Sequence, residues 1–351
     1  MAEWEKYIRQ VVPYVPGEQP DKAKMIKLNT NENPYPPAPG VVRALKEMRV
    51  DNLRLYPDPT CSSLIKVLAE YYGLGEDRVF VGVGSDDVLA MAFLTFFNSE
   101  KPVLFPAVSY SFYRVWADLY RIPYECPALD PEFRIRPEDY KRENGGIVFP
   151  NPNAPTSVFL PLDQVEEMIR YNRDVVVIVD EAYIDFGGES AVKLTDKYEN
   201  LLVVQTFSKS RSLAGMRIGY ALGNPKLIKA LHDVKYSFNS YTMNRTALTL
   251  GVEAVKDEAY FRENLAKILA TRERVSKRMR ELGFEFPESY TNFLFASHRR
   301  VPAKKLFDAL RKRDIYVRHF DAPGIDRYLR ITVGTDEEMD AFLNFVEGDC
   351  L

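Results

Sequence analysis

Val175-Val-Val-Ile-Val179 constrains what this chain can fold into more than any other stretch. Five β-branched apolar residues in a row leave no polar face. The run therefore reads as a strand buried on both sides, as in a parallel sheet covered by helices. It ends in Asp180-Glu181-Ala182-Tyr183. A second run, Leu201-Leu-Val-Val204, leads into Thr206-Phe-Ser-Lys-Ser-Arg-Ser-Leu-Ala-Gly-Met-Arg-Ile-Gly219. Open α/β sheets bind ligands outside the carboxyl ends of their strands, where Asp180 and Lys209 would stand. A lysine there can form a Schiff base with a carbonyl cofactor. Ser208 and the glycine-flanked Arg217 are placed to hold an anionic group beside it. The same residues also read as a solvated Lys/Arg loop. Asp180 can pair with a protonated ring nitrogen, and an Asp ending a strand is also a common helix N-cap.

The same alternation recurs upstream. Val79–Gly82 is followed by Val83-Gly84-Ser85-Asp86-Asp87 and a helical stretch from Val88 to Phe97. Gly84 permits a tight turn, and Ser85 or Asp86 is expected to cap the helix, whose free N–H groups suit a phosphate. Pro102–Phe105 leads to Tyr110, and Gly146–Phe149 leads to the loop Pro150–Ser157. Strand, glycine- or proline-rich turn and helix alternate over residues 79–223, which predicts a doubly wound α/β domain with a mostly parallel sheet. Long polar helices follow, roughly Glu253–Leu282. The segments Lys304–Arg313, Ile315–Arg318 and Tyr328–Val333 suit a smaller α+β domain. The expected division is an N-terminal arm contributing to the small domain (1–45), a large domain (46–245) and a small C-terminal domain (246–351). Arg318 and Arg330 interrupt apolar strands. Burying them without an anionic partner is costly, and strand alternation offers each a solvent face as the alternative.

Composition removes other classes. A net charge of −3 gives no reason to expect nucleic acid or an anionic membrane as partner. The start, Met1-Ala-Glu-Trp-Glu-Lys-Tyr, is too polar for a signal peptide, and the longest apolar run, Val88 to Phe97, is far below the roughly 18 residues of a membrane span. Cys61, Cys126 and Cys350 are isolated, so no disulfide framework is expected. Together these features point to the cytoplasm. His232, His298 and His319 are scattered and suggest no metal site. No Gly-x-Gly-x-x-Gly opens a helix, which argues against a dinucleotide domain.

Taken in order, these segments resemble the pyridoxal-phosphate enzymes of the aspartate-aminotransferase fold (fold type I), and within them the histidinol-phosphate aminotransferase family. The resemblance runs from Pro13-Tyr14 to Leu329–Thr335. It implies pyridoxal 5'-phosphate as cofactor and a homodimer with shared active sites. The implied reaction transfers an amino group between L-histidinol phosphate and 2-oxoglutarate, giving imidazole-acetol phosphate and L-glutamate. By resemblance Lys209 is catalytic. Ser85, Asp86, Ser208, Arg217 and the partner's Tyr56 anchor the cofactor phosphate, and Asp180 holds the pyridine nitrogen. Tyr110 stacks on the ring, and Tyr183 bonds the ring's phenolic oxygen. A second bond to that oxygen comes from the Asn of an Asn-Pro-Thr-Gly motif in the family. Here Ala154 stands at that Asn and Ser157 at the Gly, so Asn153 is expected to supply the amide. Tyr14, on an arm that crosses to the partner's site, and Arg318 are expected to bind the substrate phosphate. Arg330 is expected to take the α-carboxylate. An aromatic or broad-specificity aminotransferase and a phospho-amino-acid decarboxylase of the same fold remain alternatives. A non-enzymatic regulator of this fold is the alternative from another class. Lys209, Asp180, Tyr183 and Arg217 argue against it, as does the lack of a basic DNA-binding extension.

Overall fold

The structure, a computed structural model, describes residues 2–22 and 24–350, the last two by backbone only. Its strands in chain order are β1 (Ile26–Lys27), β2 (Val79–Gly82), β3 (Val103–Leu104), β4 (Tyr124–Glu125), β5 (Gly146–Pro150), β6 (Val177–Asp180), β7 (Leu201–Thr206), β8 (Gly219–Gly223), β9 (Phe284–Glu285), β10 (Phe293–His298), β11 (Ile315–Tyr316), β12 (Arg318–His319) and β13 (Leu329–Thr332). Its helices are α1 (Pro39–Lys46), α2 (Ser62–Tyr72), α3 (Gly84–Phe96), α4 (Phe112–Tyr120), α5 (Leu162–Tyr171), α6 (Pro225–Phe238), α7 (Arg245–Lys256), α8 (Glu258–Glu281), α9 (Ala303–Lys312) and α10 (Asp336–Phe345).

Seven strands form the large sheet in the order β2-β8-β7-β6-β5-β3-β4. Only β8 runs against its neighbours. Every residue of β6 and β7 is buried, as the continuous apolar runs require. Alternate side chains go to opposite faces. Val177, Val179, Leu201 and Val203 pack with Val165 and Met168 of α5. Ile178, Leu202 and Val204 pack with Leu89 and Phe93 of α3 and with Tyr113 and Trp116 of α4. Each buried aliphatic side chain contributes roughly 1.5–3 kcal/mol, so a one-residue slip that exchanged the two faces would be resisted by both layers at once. Parallel register then brings the ends of β5, β6 and β7 to one edge, with Asp180 paired to Pro150 and to Val204.

A second sheet, β12-β13-β10-β9, is antiparallel. Val275 and Met279 of α8, Leu306 and Leu310 of α9, and Met339 and Phe342 of α10 cover it. The N-terminal segment joins this body through β1, which pairs parallel to β11. Thr335 and Glu338 form a capping box that starts α10, each satisfying a backbone N–H of the other's end.

The expected long helices are α7 and α8, separated at Asp257. Two sequence expectations change. Residues 246–256, grouped in the sequence with the small domain, pack on the large sheet: Ala247, Leu250 and Ala254 of α7 share a core with Leu64, Leu68, Val79 and Leu222. The sequence of a helix does not by itself reveal which sheet it covers. Helix α3 begins at Gly84, so Ser85 and Asp86 lie inside its first turn and do not cap it. Asp87 Oδ2 instead accepts the N–H of Val83 at 2.9 Å. Among the described residues no helix is long and apolar enough to cross a membrane, and no group of three or more metal-ligating side chains occurs. Cys61 and Cys126 are free thiols, whereas the side chain of Cys350 lies outside the described residues.

Candidate active site

A cavity of about 470 Å³ opens where the carboxyl edge of the large sheet meets the small body and the N-terminal segment. Lys209 reaches it from the loop after β7. Its Nζ donates to the carbonyl of Thr30 at 3.1 Å and lies 5.8 Å from the centre of the Tyr183 ring. It has no carboxylate partner among the described residues. Arginines cannot give up a proton near neutral pH, so among the described residues Lys209 is the one amine lining the cavity that can act as a nucleophile or base.

Asp180 sits at the floor, 4% exposed. It accepts the Tyr113 hydroxyl at 2.7 Å and the N–H of Ala182 at 3.2 Å. No cationic side chain pairs with it among the described residues. Burial pushes its carboxyl up to about 6, against the pull of those two donors. A buried carboxylate of this kind is costly unless a ligand brings positive charge, and a protonated ring nitrogen would do so.

The opposite end of the cavity suits a phosphate. Arg217 has left-handed backbone (φ 53°), which turns its guanidinium back toward the cavity. Its Nη2 meets Asp86 Oδ2 at 3.1 Å, and its Nη1 lies 3.4 Å from Ser208 Oγ. Ser85, Asp86 and Ser208 line the same wall. The backbone is packed too closely there for larger residues. A Cβ on Gly219 would lie 2.3 Å from the Ser85 nitrogen, and one on Gly84 (φ +83°) would lie 2.5 Å from Arg217 Nη2. Two glycines thus let a helix N-terminus, two hydroxyls and a guanidinium converge.

Tyr110 forms one side wall. Its hydroxyl donates to Asp86 Oδ1 at 2.8 Å, and burial with that carboxylate nearby raises it far above the ordinary phenol range. Arg318 and Arg330 face each other across β12 and β13 as register partners. Both line the cavity. Like charges directly opposite on a sheet repel, and neither has a carboxylate partner among the described residues. Arg330 Nη2 donates to the carbonyl of Asn29 at 3.0 Å, but its buried Nε has no partner among the described residues. Burial lowers its pKa, and neighbouring Arg318 adds to this. An anion with several oxygens would satisfy both forks.

Tyr14 also lines this chain's own cavity. Its ring stacks on Phe112 at 4.3 Å and meets Tyr110 edge-on at 6.1 Å. The resemblance implied that Tyr14 crosses to a partner's site; within this chain it packs on α4 beside the chain's own cavity. The expectation for Asn153 is corrected. Its Nδ2 is spent on the Val108 carbonyl (3.0 Å) and Thr156 Oγ1 (2.8 Å), closing its own loop. Ala154, its neighbour, lines the cavity instead. Tyr56 does not reach this cavity. It is 79% exposed and lies tilted against Tyr241, with ring centres 4.7 Å apart. Tyr113, Thr30 and Asn31 were missed by sequence reasoning. Their contacts come from residues far apart in the chain, and no local motif marks them.

Residues 23–346 match the model of the aminotransferase class I and II family. The chain is 50% identical over 348 residues to the histidinol-phosphate aminotransferase of Clostridium acetobutylicum, covering 99% of each chain. It is 52% identical over 341 residues to that of Pseudomonas putida, covering 97% of this chain and 98% of the relative. The crystal structure of histidinol-phosphate aminotransferase from Sinorhizobium meliloti in complex with pyridoxal-5'-phosphate superposes with a TM-score of 0.84. It does so at 23% identity, covering 91% of this chain and 89% of that one. At that identity the likeness concerns the fold alone.

Proposed function

The chain belongs to the class I and II aminotransferases, and we propose that it uses pyridoxal 5'-phosphate to move an amino group between L-histidinol phosphate and 2-oxoglutarate. One observation carries the reading: a single cavity holds Lys209, a buried unpaired Asp180 and two opposed arginines. The residues fit the cofactor. Ser85, Ser208, Arg217 and the amino end of α3 would hold its phosphate, Asp180 its ring nitrogen, Tyr110 one ring face, and Lys209 its carbonyl carbon. When bound, the cofactor supplies an electron-withdrawing ring that stabilises negative charge at the adjoining substrate carbon.

The protein's own groups do the rest. Asp180 would hold the cofactor's protonated ring nitrogen at the cavity floor and would itself be kept ionised by it. With the cofactor bound, the Lys209 amine would take and return the proton at the amine-bearing carbon of the substrate. Thr30 accepts a hydrogen bond from that amine and holds it at one height in the cavity. Arg330 and Arg318 must receive a carboxylate in one half of the cycle and a phosphate in the other. Guanidinium forks recognise either anion, and Tyr14 adds a hydroxyl beside them. The relatives' substrate favours histidinol phosphate over the aromatic amino acids and over a decarboxylation of the same fold.

Coupled turnover with L-histidinol phosphate and 2-oxoglutarate, with products identified, tests this directly. Formation of L-glutamate and imidazole-acetol phosphate is expected. Release of carbon dioxide, or turnover of phenylalanine and tyrosine alone, would contradict the substrate assignment. Arg318→Ala should raise KM for histidinol phosphate at least about tenfold, the size of one lost charge-assisted hydrogen bond, with a smaller effect on glutamate. Equal losses for both would argue against a phosphate role.

The proposal includes a homodimer. Tyr56 stands beside exposed Leu53, Leu55 and Tyr241, and Phe238 at the end of α6 is also exposed. Apolar side chains of this size suit a self-complementary face of a second copy. That face would let Tyr56 reach the partner's cofactor phosphate. Sedimentation should give twice the 40.4 kDa chain mass. A monomer with full activity would refute the shared site.

A further inference from the structure

We infer that Asn31 is a positioning residue for Tyr183, directing the Tyr183 hydroxyl proton into the cavity where Ala154 leaves no amide to face the cofactor ring. The inference rests on the pyridoxal-phosphate reading above and concerns which of this chain's groups donates to the ring's phenolic oxygen.

Asn31 is 1% exposed, and its Nδ2 donates to Tyr183 Oη at 2.8 Å. Among the described residues this is the hydroxyl's only hydrogen bond. Its oxygen is thereby used as an acceptor on the Asn31 side, and its own proton is left to point elsewhere. Tyr183 lines the cavity, so the open direction is the cavity.

The orientation of the amide is fixed by what lies behind it. Thr332 Oγ1 accepts the backbone N–H of Asn31 at 3.0 Å and donates to Asn31 Oδ1 at 3.2 Å. Flipping the amide would leave the buried Thr332 proton without an acceptor. Asn292 Nδ2 donates to the Asn31 carbonyl at 3.0 Å, so β13 and the segment before β10 grip the residue from two sides. The backbone at Asn31 is left-handed (φ 58°), a conformation that asparagine tolerates well. The small body therefore sets the direction of a hydroxyl carried by the large one.

Neighbouring groups leave Tyr183 this task. Ala154 lines the cavity with no donor, and Asn153 is committed to Val108 and Thr156. A donated Tyr183 proton would stabilise an ionised phenolic oxygen and so lower the pH midpoint at which the lysine-bound cofactor changes its visible absorption.

The test substitutes both partners and reads two quantities other than activity: the pH midpoint of the visible band and the dissociation constant for pyridoxal phosphate. Asn31→Asp keeps the shape and the left-handed backbone but presents an acceptor, which draws the Tyr183 proton out of the cavity. It should raise the midpoint by about half a unit or more and weaken cofactor binding about fivefold, as Tyr183→Phe should. The double variant should show no further change beyond Tyr183→Phe alone. Asn31→Ala removes the donor without adding charge, and its effect should also vanish in the Tyr183→Phe background. Effects of either Asn31 variant that persist undiminished in that background would overturn the inference. If the wild-type protein loaded with pyridoxal phosphate shows no visible band, the reading of the preceding subsection fails and the inference falls with it.

Discussion

Lys209→Ala lowers turnover by about 10⁴-fold or more while leaving the fold intact. The reason is the inventory of the cavity. It contains three arginines and one lysine, and the arginines stay protonated at any working pH. No other lining amine can attach to a carbonyl cofactor or move a proton at the α-carbon. The Lys209 side chain makes one hydrogen bond, to the Thr30 carbonyl, and no ion pair among the described residues, so its removal costs little stability. Steady-state turnover and thermal unfolding of the variant check both halves. Retention of wild-type transamination by Lys209→Ala would sink the assignment of Lys209.

Asp180→Asn has two opposite effects. Turnover should fall about 100-fold or more, because a neutral amide no longer holds the ring nitrogen protonated. The cofactor-free protein should become more stable at pH 8. The folded-state pKa of Asp180, about 6, lies above the ordinary aspartate value of 3.8. Its contribution to stability is therefore fully present below the unfolded pKa and is lost as the pH rises through the folded one. At pH 8 the wild type carries that buried charge at a cost of about 3 kcal/mol, which asparagine avoids: its Oδ1 can accept from Ala182 while its Nδ2 donates to the Tyr113 hydroxyl oxygen. The neighbouring Glu181, pushed by burial up to about 7, titrates in both proteins and cancels in the difference. The stability gain should shrink as the pH falls toward 4. Denaturant unfolding of cofactor-free protein across pH 4–8 measures it. A pH-independent difference, or an active Asp180→Asn enzyme, would contradict the role given to Asp180.

What the sequence disclosed follows physical rules of locality. Strands β6 and β7 were legible because an unbroken apolar run has one stable place, inside a covered sheet. Their carboxyl ends then placed Asp180 and Lys209 at one edge. Arg318 and Arg330 stood out because charge within an apolar strand requires a reason. Tyr113 was hidden because a tyrosine in an amphipathic helix reads as core, and its bond to Asp180 spans 67 residues. Asn31 was hidden for the same reason, with Tyr183 lying 152 residues away. Asn153 was misplaced because Ala154 stands where the family carries its amide, and only the folded turn shows that the Asn153 amide closes its own loop. The packing of Tyr14 on Phe112 likewise depends on where the arm returns, which no spacing encodes.

The account stands or falls on chemistry at Lys209 driven by a phosphate-bearing amine. The most direct measurement is the absorption spectrum of protein loaded with pyridoxal phosphate, titrated with L-histidinol phosphate in the absence of 2-oxoglutarate. The visible band of the lysine-bound cofactor should disappear at low substrate concentration as the near-ultraviolet band of the aminated cofactor grows, and Lys209→Ala should show no such conversion. A band that responds only to phenylalanine or tyrosine, or no band at all after loading, would contradict the account.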